Sequence, residues 1–341
     1  MLHSGSRPIN LNDNILVTGG AGFIGGYLVT RLLHARGDKV IVYDNLSKGS
    51  KDNISEEFGK SNFTFICADM LDSVSLAKAV DASDIVFHLA ANPIVAVGSN
   101  DPTRDFEQNV LATYNLLEAM KRSRSCKKII FTSSSTVYGE AEEIPTSEKY
   151  SPLKPISIYG ATKLACEAMI SGYCNIFNFC GLVFRLANIV GPNSTHGVIH
   201  DFITKLSHNP NYLEILGNGK QNKSYLYIDD CIDALLKLVP EMEEINFDIF
   251  NVGPSDRINV LDIARIISKE LSLDNVSLKF LDSFDGRGWQ GDVREYLLNS
   301  SKLESFGWKP KYNSREAVSL TVHQHATKAR HASQIDQASF L

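Results

Sequence analysis

Short runs rich in β-branched and aromatic residues recur along the first half of the chain, at residues 15–17, 40–43, 63–66, 85–88, 128–131 and 182–185. Helical patterns lie between several of them, at about 22–35, 106–121 and 159–175. Strands separated by helices in this order predict right-handed crossovers and a doubly wound parallel α/β sheet, complete by about residue 190. After that point the rhythm loosens. Loop signals at Gly191-Pro192-Asn193, Gly217-Asn218-Gly219 and Asn251-Val252-Gly253-Pro254 separate shorter elements, with helices near 230–238 and 261–271. This predicts a sheet domain over 12–190 and a smaller α/β cap over 191–322, interleaved with it at the carboxyl edge of the sheet. Residues 323–341, rich in His, Ala, Gln and Ser, read as a flexible tail. No repeat or low-complexity linker divides the halves, so a cleft between packed lobes is expected.

Composition narrows the partners. The chain has 341 residues, 43% hydrophobic and 21% charged, which places it among soluble globular proteins and against disorder. Its 34 basic and 39 acidic side chains give a formal charge of −5, with no footprint for nucleic acid or an anionic membrane. A small anion held by local donors stays open. Six cysteines without CxxC spacing read as free thiols in a reducing compartment. The first ten residues lack the apolar core of a signal peptide, and no window reaches the length of a membrane span. Cytoplasmic location is the expectation.

The segment TGGAGFIG, from Thr18 to Gly25, follows the first strand and opens the first helix. Its glycines Gly19, Gly22 and Gly25 suit a tight turn, close approach of backbone to a pyrophosphate, and close helix-on-strand packing. Asp44 ends the second strand, where a carboxylate can accept from both adenine-ribose hydroxyls and repels a 2′-phosphate, favouring NAD. Alternatively Asp44 caps the Asp44-Asn45 turn, and Lys48 and Lys51 nearby could accept a phosphate.

Tyr159 and Lys163 form a YxxxK pair, one turn apart on one helix face. Moving a tyrosine from about 10 to near 7 requires roughly 4 kcal/mol. A lysine about 4 Å away at an effective dielectric of 20 supplies a term of that order. Tyr159 then becomes a candidate general base. The run Thr132-Ser133-Ser134-Ser135-Thr136 follows a strand, at the carboxyl edge where ligands bind, and one of its hydroxyls can hold a reacting hydroxyl.

These motifs, with Tyr43-Asp44-Asn45-Leu46, Ala68-Asp69-Met70, His88-Leu89-Ala90-Ala91, SSSTVYGE from Ser133, Arg185-Leu186-Ala187-Asn188 and Lys223-Ser224-Tyr225, resemble the extended short-chain dehydrogenases/reductases. The similarity is nearest to the archaeal-type UDP-glucose/UDP-galactose 4-epimerase branch, and runs from about residue 14 to 318. The resemblance implies a Rossmann-type sheet with a substrate-binding cap, NAD as cofactor, and a catalytic set of Ser134, Tyr159, Lys163 and Asn109. It implies cofactor contacts from Gly19, Gly22, Phe23, Ile24, Gly25, Asp44, Asn45, Asp69, Met70, Leu89, Ala90, Ala91, Tyr159, Lys163 and Leu186. Substrate contacts are implied for Ser134, Thr136, Asn188, Gly197, Val198, Lys223 and Arg287. His196 and His200 lie four apart, but no third ligand is evident, so no metal is expected.

The implied reaction is transient oxidation: Tyr159 takes the proton of the sugar 4-hydroxyl, hydride passes to NAD, the 4-keto sugar turns over, and hydride returns to its other face. Departures from the pattern matter. The family's 4,6-dehydratases carry Asp-Glu after the active hydroxyl, and its decarboxylases a glutamate at the second of those positions; this chain has Ser135-Thr136. Compared with bacterial epimerases, Pro93 replaces a cofactor lysine, Lys223 a diphosphate arginine, and Gln290 a further arginine, with Arg287 able to supply charge. UDP-glucuronate or a UDP-N-acetylhexosamine therefore remains an alternative substrate, as does an inert NAD-binding role. The helices at 106–121 and 159–175 resemble those that pair in family homodimers.

Overall fold

The computed structural model describes residues 13–94, 101–281 and 285–338. Its centre is a parallel seven-stranded sheet built from β1 (Asn14–Thr18), β2 (Lys39–Tyr43), β3 (Phe63–Ile66), β4 (Ile85–His88), β5 (Lys128–Ser134), β6 (Cys180–Leu186) and β7 (Phe247–Val252). The strand order is β7-β6-β5-β4-β1-β2-β3, so the chain winds outward from β1 in both directions. Alternate residues of each strand serve opposite faces. Ile15, Val17, Ile85 and Phe87 join the core layer on one side of the sheet, while Leu16, Val86 and Ile129 join the layer on the other. Burial on both faces is why these runs read as nearly continuous hydrophobics.

The sheet is not complete by residue 190, contrary to what the strand pattern predicts. Its seventh strand, β7, arrives about sixty residues later and pairs in parallel with β6, from Phe247↔Gly181 to Val252↔Leu186. The cap and the sheet are therefore threaded through one another.

Helices α1 (Phe23–Arg31), α2 (Ser73–Asp81), α3 (Pro102–Asp105), α4 (Ala112–Arg122) and α5 (Ile158–Phe177) cover the sheet. Asp72 caps α2 by accepting from Val74 and Ser75 N–H, and Ser157 caps α5 by accepting from Gly160 N–H at 3.1 Å. Asp101 and Pro102 start α3, as an N-cap acid and a proline at the first helical position should. Between α3 and α4 the helix widens into a π segment, Phe106–Leu111, a distortion that often accompanies functional residues. The cap carries short strand pairs, such as Tyr212–Leu216 with Ser277–Leu281, and helices Val198–His208, Ile228–Lys237 and Val260–Glu270.

The stretch from residue 323, expected as a tail, continues the last helix, Ser314–Ala338. Tyr227 donates its hydroxyl to Gln324 at 2.8 Å, and Lys328 reaches Asn193 at 2.6 Å, which ties this helix to the cap. All six cysteines are free thiols, and Cys67 is the exposed one. Among the described residues no helix is long and apolar enough to cross a membrane.

Candidate active site

The glycine loop is shaped by close approaches. Gly19 sits at φ +71°, and a Cβ there would lie 2.7 Å from Ala90 N. A Cβ on Gly25 would run into the Gly19 carbonyl oxygen. Gly22 is the N-cap of α1, and no side chain caps that helix, so the first N–H groups remain for an outside acceptor. Phe23 and Ile24 form the first turn and pack on the core behind the loop.

Asp44 is buried, and both readings of it hold a share. Its Oδ1 accepts from Leu46 N–H at 2.8 Å, which is the turn cap. Its Oδ2 accepts from Ala21 N–H at 3.0 Å and so braces the glycine loop. Burial pushes its carboxyl above the usual range, against these two hydrogen bonds. Each oxygen retains a lone pair for a ribose hydroxyl. Asn45 donates to Asp69 Oδ2 at 2.6 Å, Leu71 N–H to Asp69 Oδ1 at 2.8 Å, and Met70 is buried beneath them. A cavity of about 340 Å³, lined by Asn45, Lys48, Asp69, Ala91 and Asn92 among others, opens at this end of the site. A cradle without room for Cβ atoms, an uncapped helix start and a carboxylate at the end of β2 together fit a dinucleotide.

Leu89, Ala90 and Ala91 follow β4, and a chain of hydrogen bonds leads from them to α5. Ala90 N–H donates weakly to Thr18 Oγ1 (3.4 Å), which lies 2.8 Å from His88 Nδ1; His88 Nε2 lies 2.9 Å from Thr113 Oγ1. Because Thr113 gives its proton to the Asn109 carbonyl (2.6 Å), His88 must donate from Nε2 and accept at Nδ1. Full burial lowers the His88 pKa to about 3, so the ring is neutral. Asn109, in the π segment, accepts at Oδ1 from Asn92 N–H (2.9 Å) and donates from Nδ2 to Thr162 Oγ1 (2.9 Å). Thr162 in turn donates to the Tyr159 carbonyl at 2.8 Å. Asn109 thus holds the first turn of α5.

Ser134 closes β5. Its Oγ accepts from both Thr136 N–H (3.2 Å) and Thr136 Oγ1 (2.9 Å), which leaves its own proton to give outward. That proton serves Tyr159, where the Ser134 hydrogen bond is the group that favours the phenolate. Lys163, fully enclosed, donates to Thr132 O at 2.9 Å and lies 5.8 Å from the Tyr159 ring centroid. Burial lowers its pKa to about 8, partly offset by Cys166, Glu167 and Asp105.

One expectation changes. Lys163 does not by itself bring Tyr159 toward neutrality: burial dominates and pushes the phenol upward, with Asp105 and Cys166 adding to the rise. The ammonium stands off the ring and shares its protons with a backbone carbonyl, so desolvation of the phenolate exceeds its attraction.

Leu186 ends β6 beside these groups. Gly197, at φ +92°, starts the helix Val198–His208 without a side-chain cap. Lys223 and Arg287 are brought together, but both are paired. Lys223 Nζ lies 2.5 Å from Asp292 Oδ1, and Arg287 holds Glu140 through both terminal nitrogens (2.8 and 2.9 Å) and the Asp292 carbonyl at 2.8 Å. A diphosphate arriving here must compete with carboxylates for them.

Sequence reasoning missed the Glu167–Arg185 pair. Glu167, one turn beyond Lys163 on α5, accepts from Arg185 Nε (3.0 Å) and Nη2 (2.6 Å) and from Ser133 Oγ (2.5 Å), with both partners buried. The i, i+4 spacing from Lys163 was the available signal.

The model of the NAD dependent epimerase/dehydratase family matches residues 15–253. The chain is 33% identical over 316 residues to a putative UDP-glucose 4-epimerase of Methanocaldococcus jannaschii, covering 91% of this chain and 97% of that one. It is similar to a solved UDP-galactose 4-epimerase, at 41% identity and a TM-score of 0.82, covering 92% and 99% of the two chains. A UDP-glucuronic acid 4-epimerase from Bacillus cereus, solved with UDP-glucuronic acid and NAD, matches at 29% identity and a TM-score of 0.83 over 92% and 99%.

Proposed function

The chain belongs to the NAD-dependent epimerase/dehydratase family, and on that premise we propose that it inverts C4 of a UDP-hexose, interconverting UDP-glucose and UDP-galactose. The nucleotide-sugar enzymes of this family use NAD. When bound, NAD supplies the acceptor that takes and returns the C4 hydrogen, together with the positive charge of its oxidised ring.

The observation that carries the reading is the proton geometry at Ser134 and Tyr159. Ser134, with its acceptor sites filled by Thr136, gives its proton to the Tyr159 oxygen in the free site and to the sugar 4-oxygen once substrate is held between the two. Tyr159 takes the proton of the sugar 4-hydroxyl during oxidation and gives it back after the keto sugar has turned. Lys163 holds positive charge beside it, and Asn109 fixes the turn from which both project. Ser135 and Thr136 carry hydroxyls at the positions next to the reacting group, where elimination or decarboxylation of a keto sugar calls for an acid or base. Lys223 and Arg287 exchange Asp292 and Glu140 for the substrate diphosphate and anchor it while the sugar rotates.

Asn188, Gly197 and Val198 are assigned to the nucleotide end of the substrate, and Asn45, Asp69 and Met70 to adenosine. Phe106, Tyr114, Ile158 and Ile176 expose large apolar surface on the helices that run from Pro102 to Phe177, and we assign these helices to a homodimer interface. Tyr159→Phe tests the chemistry: turnover of UDP-galactose should fall by about 10²-fold or more, as loss of a general acid–base does, with NAD still bound. Epimerisation at the wild-type rate would refute the mechanism.

A further inference from the structure

Two buried acceptors near the first turn of α5 have no donor among the described residues. Asp105, at the end of α3, is fully buried and stands one helical turn before Asn109. Its Oδ1 accepts from Asn92 Nδ2 at 2.6 Å, but its Oδ2 has no partner among the described residues, and neither has the buried Oδ1 of Asn92. Asn92 belongs to the catalytic group, because its backbone N–H holds Asn109 Oδ1. Buried polar atoms left unpaired are rare and call for a cause. A single proton on Asp105 Oδ2 satisfies both: acid and carboxamide then face each other, Nδ2–H donating to Oδ1 one way and Oδ2–H to the Asn92 oxygen the other.

We propose that Asp105 is a neutral carboxylic acid in the folded protein, locked to Asn92 by this reciprocal pair, and that it acts as a positioning residue for Asn109 and for the Tyr159–Lys163 pair.

The groups that face it agree. Asp101 and Arg104 lie on its own helix, and Lys163 and Tyr159 face it from α5. Burial, with the nearby Asp101 carboxylate, raises the Asp105 carboxyl more than Asn92, Arg104 and Lys163 lower it. Lys163 donates to Thr132 O, and among the described residues none forms an ion pair with Asp105. Protonation also has a chemical consequence, which rests on Tyr159 being the base. A carboxylate at this place opposes ionisation of the phenol, and the acid form removes that charge.

Asp105→Asn provides the test, since an amide can make the same reciprocal pair with Asn92. The infrared difference spectrum of wild type minus Asp105→Asn at pH 7 should contain a protonated-carboxyl carbonyl band, shifted in Asn92→Ala. The thermal midpoint gives a second reading. A carboxyl whose pKa is raised on folding contributes stability below its unfolded value and loses it as pH rises through the folded value. Wild type should therefore fall relative to Asp105→Asn as the pH is raised. Turnover of Asp105→Asn should stay within about threefold of wild type at an unshifted pH profile, whereas Asp105→Leu should lose kcat at unchanged KM. Absence of the band, or a pH profile of Asp105→Asn displaced by a unit or more, would show a charged counter-ion of Lys163 and overturn the proposal. The infrared and thermal readings need no substrate, so they stand even if the protein acts on no UDP-hexose.

Discussion

Replacing Glu167 with glutamine should destabilise the fold and disturb the site together. The carboxylate is 3% exposed, as is its partner Arg185, and it accepts from three donors, Arg185 Nε, Arg185 Nη2 and Ser133 Oγ. Among the described residues Arg185 has no second carboxylate for its charge: its Nη1 has no hydrogen-bond partner, and its other neighbour is Tyr138, whose ring centroid lies 4.7 Å from the guanidinium carbon. Removing one member of such a buried pair costs about 3–5 kcal/mol. At about 1.4 °C per kcal/mol for a chain of this size, the midpoint should fall by at least about 4 °C. Glu167 also holds the Lys163 pKa up against burial. Its loss should move the Lys163 pKa below about 8, so the alkaline limb of the pH–kcat profile shifts to lower pH. Urea denaturation and a pH series on wild type, Glu167→Gln, and Glu167→Gln with Arg185→Met supply the readings. The double variant, which removes both charges, should recover much of the stability. A loss below about 1 kcal/mol in the single variant, or an unshifted alkaline limb, would refute this account.

Other consequences can be checked as directly. Gly25→Ala drives a methyl group into the Gly19 carbonyl, so the purified variant should carry no NAD, as read by nucleotide released on denaturation. Lys223→Met should raise KM for the sugar nucleotide by roughly tenfold or more at similar kcat, the loss of a charge-assisted contact of about 1.5–3 kcal/mol; steady-state kinetics will show it. Phe106→Glu with Ile176→Glu should convert a homodimer to monomers in analytical ultracentrifugation, since both side chains are exposed on the assigned helices.

The parts of this molecule that were legible in the sequence are those encoded locally. The glycine loop, the six early strands and the Tyr159–Lys163 spacing each rest on neighbours within one or two turns of chain. What tertiary contact decides was not legible. β7 pairs with β6 across sixty residues of intervening cap, and nothing in Phe247–Val252 alone distinguishes a sheet strand from a cap strand. Polarity at residues 323–341 read as a tail, whereas in the described part, to residue 338, Gln324 and Lys328 bind the cap. Lys223 and Arg287 read as open cations because the carboxylates that hold them, Asp292 and Glu140, stand 69 and 147 positions away along the chain. Burial explains the reversal at Tyr159: spacing supplied the attraction of Lys163 but not the desolvation that outweighs it. The same gap hid Asp105, an ordinary acidic residue in the sequence and a fully enclosed one in the fold.

Inversion at C4 with no net redox change can be followed by proton NMR of the protein incubated with UDP-glucose. UDP-galactose should grow in until it is at equilibrium with substrate, with bound NAD unchanged at the end. Accumulation of a 4-keto-6-deoxy sugar, or no change in UDP-glucose while another UDP-sugar is epimerised, would contradict it.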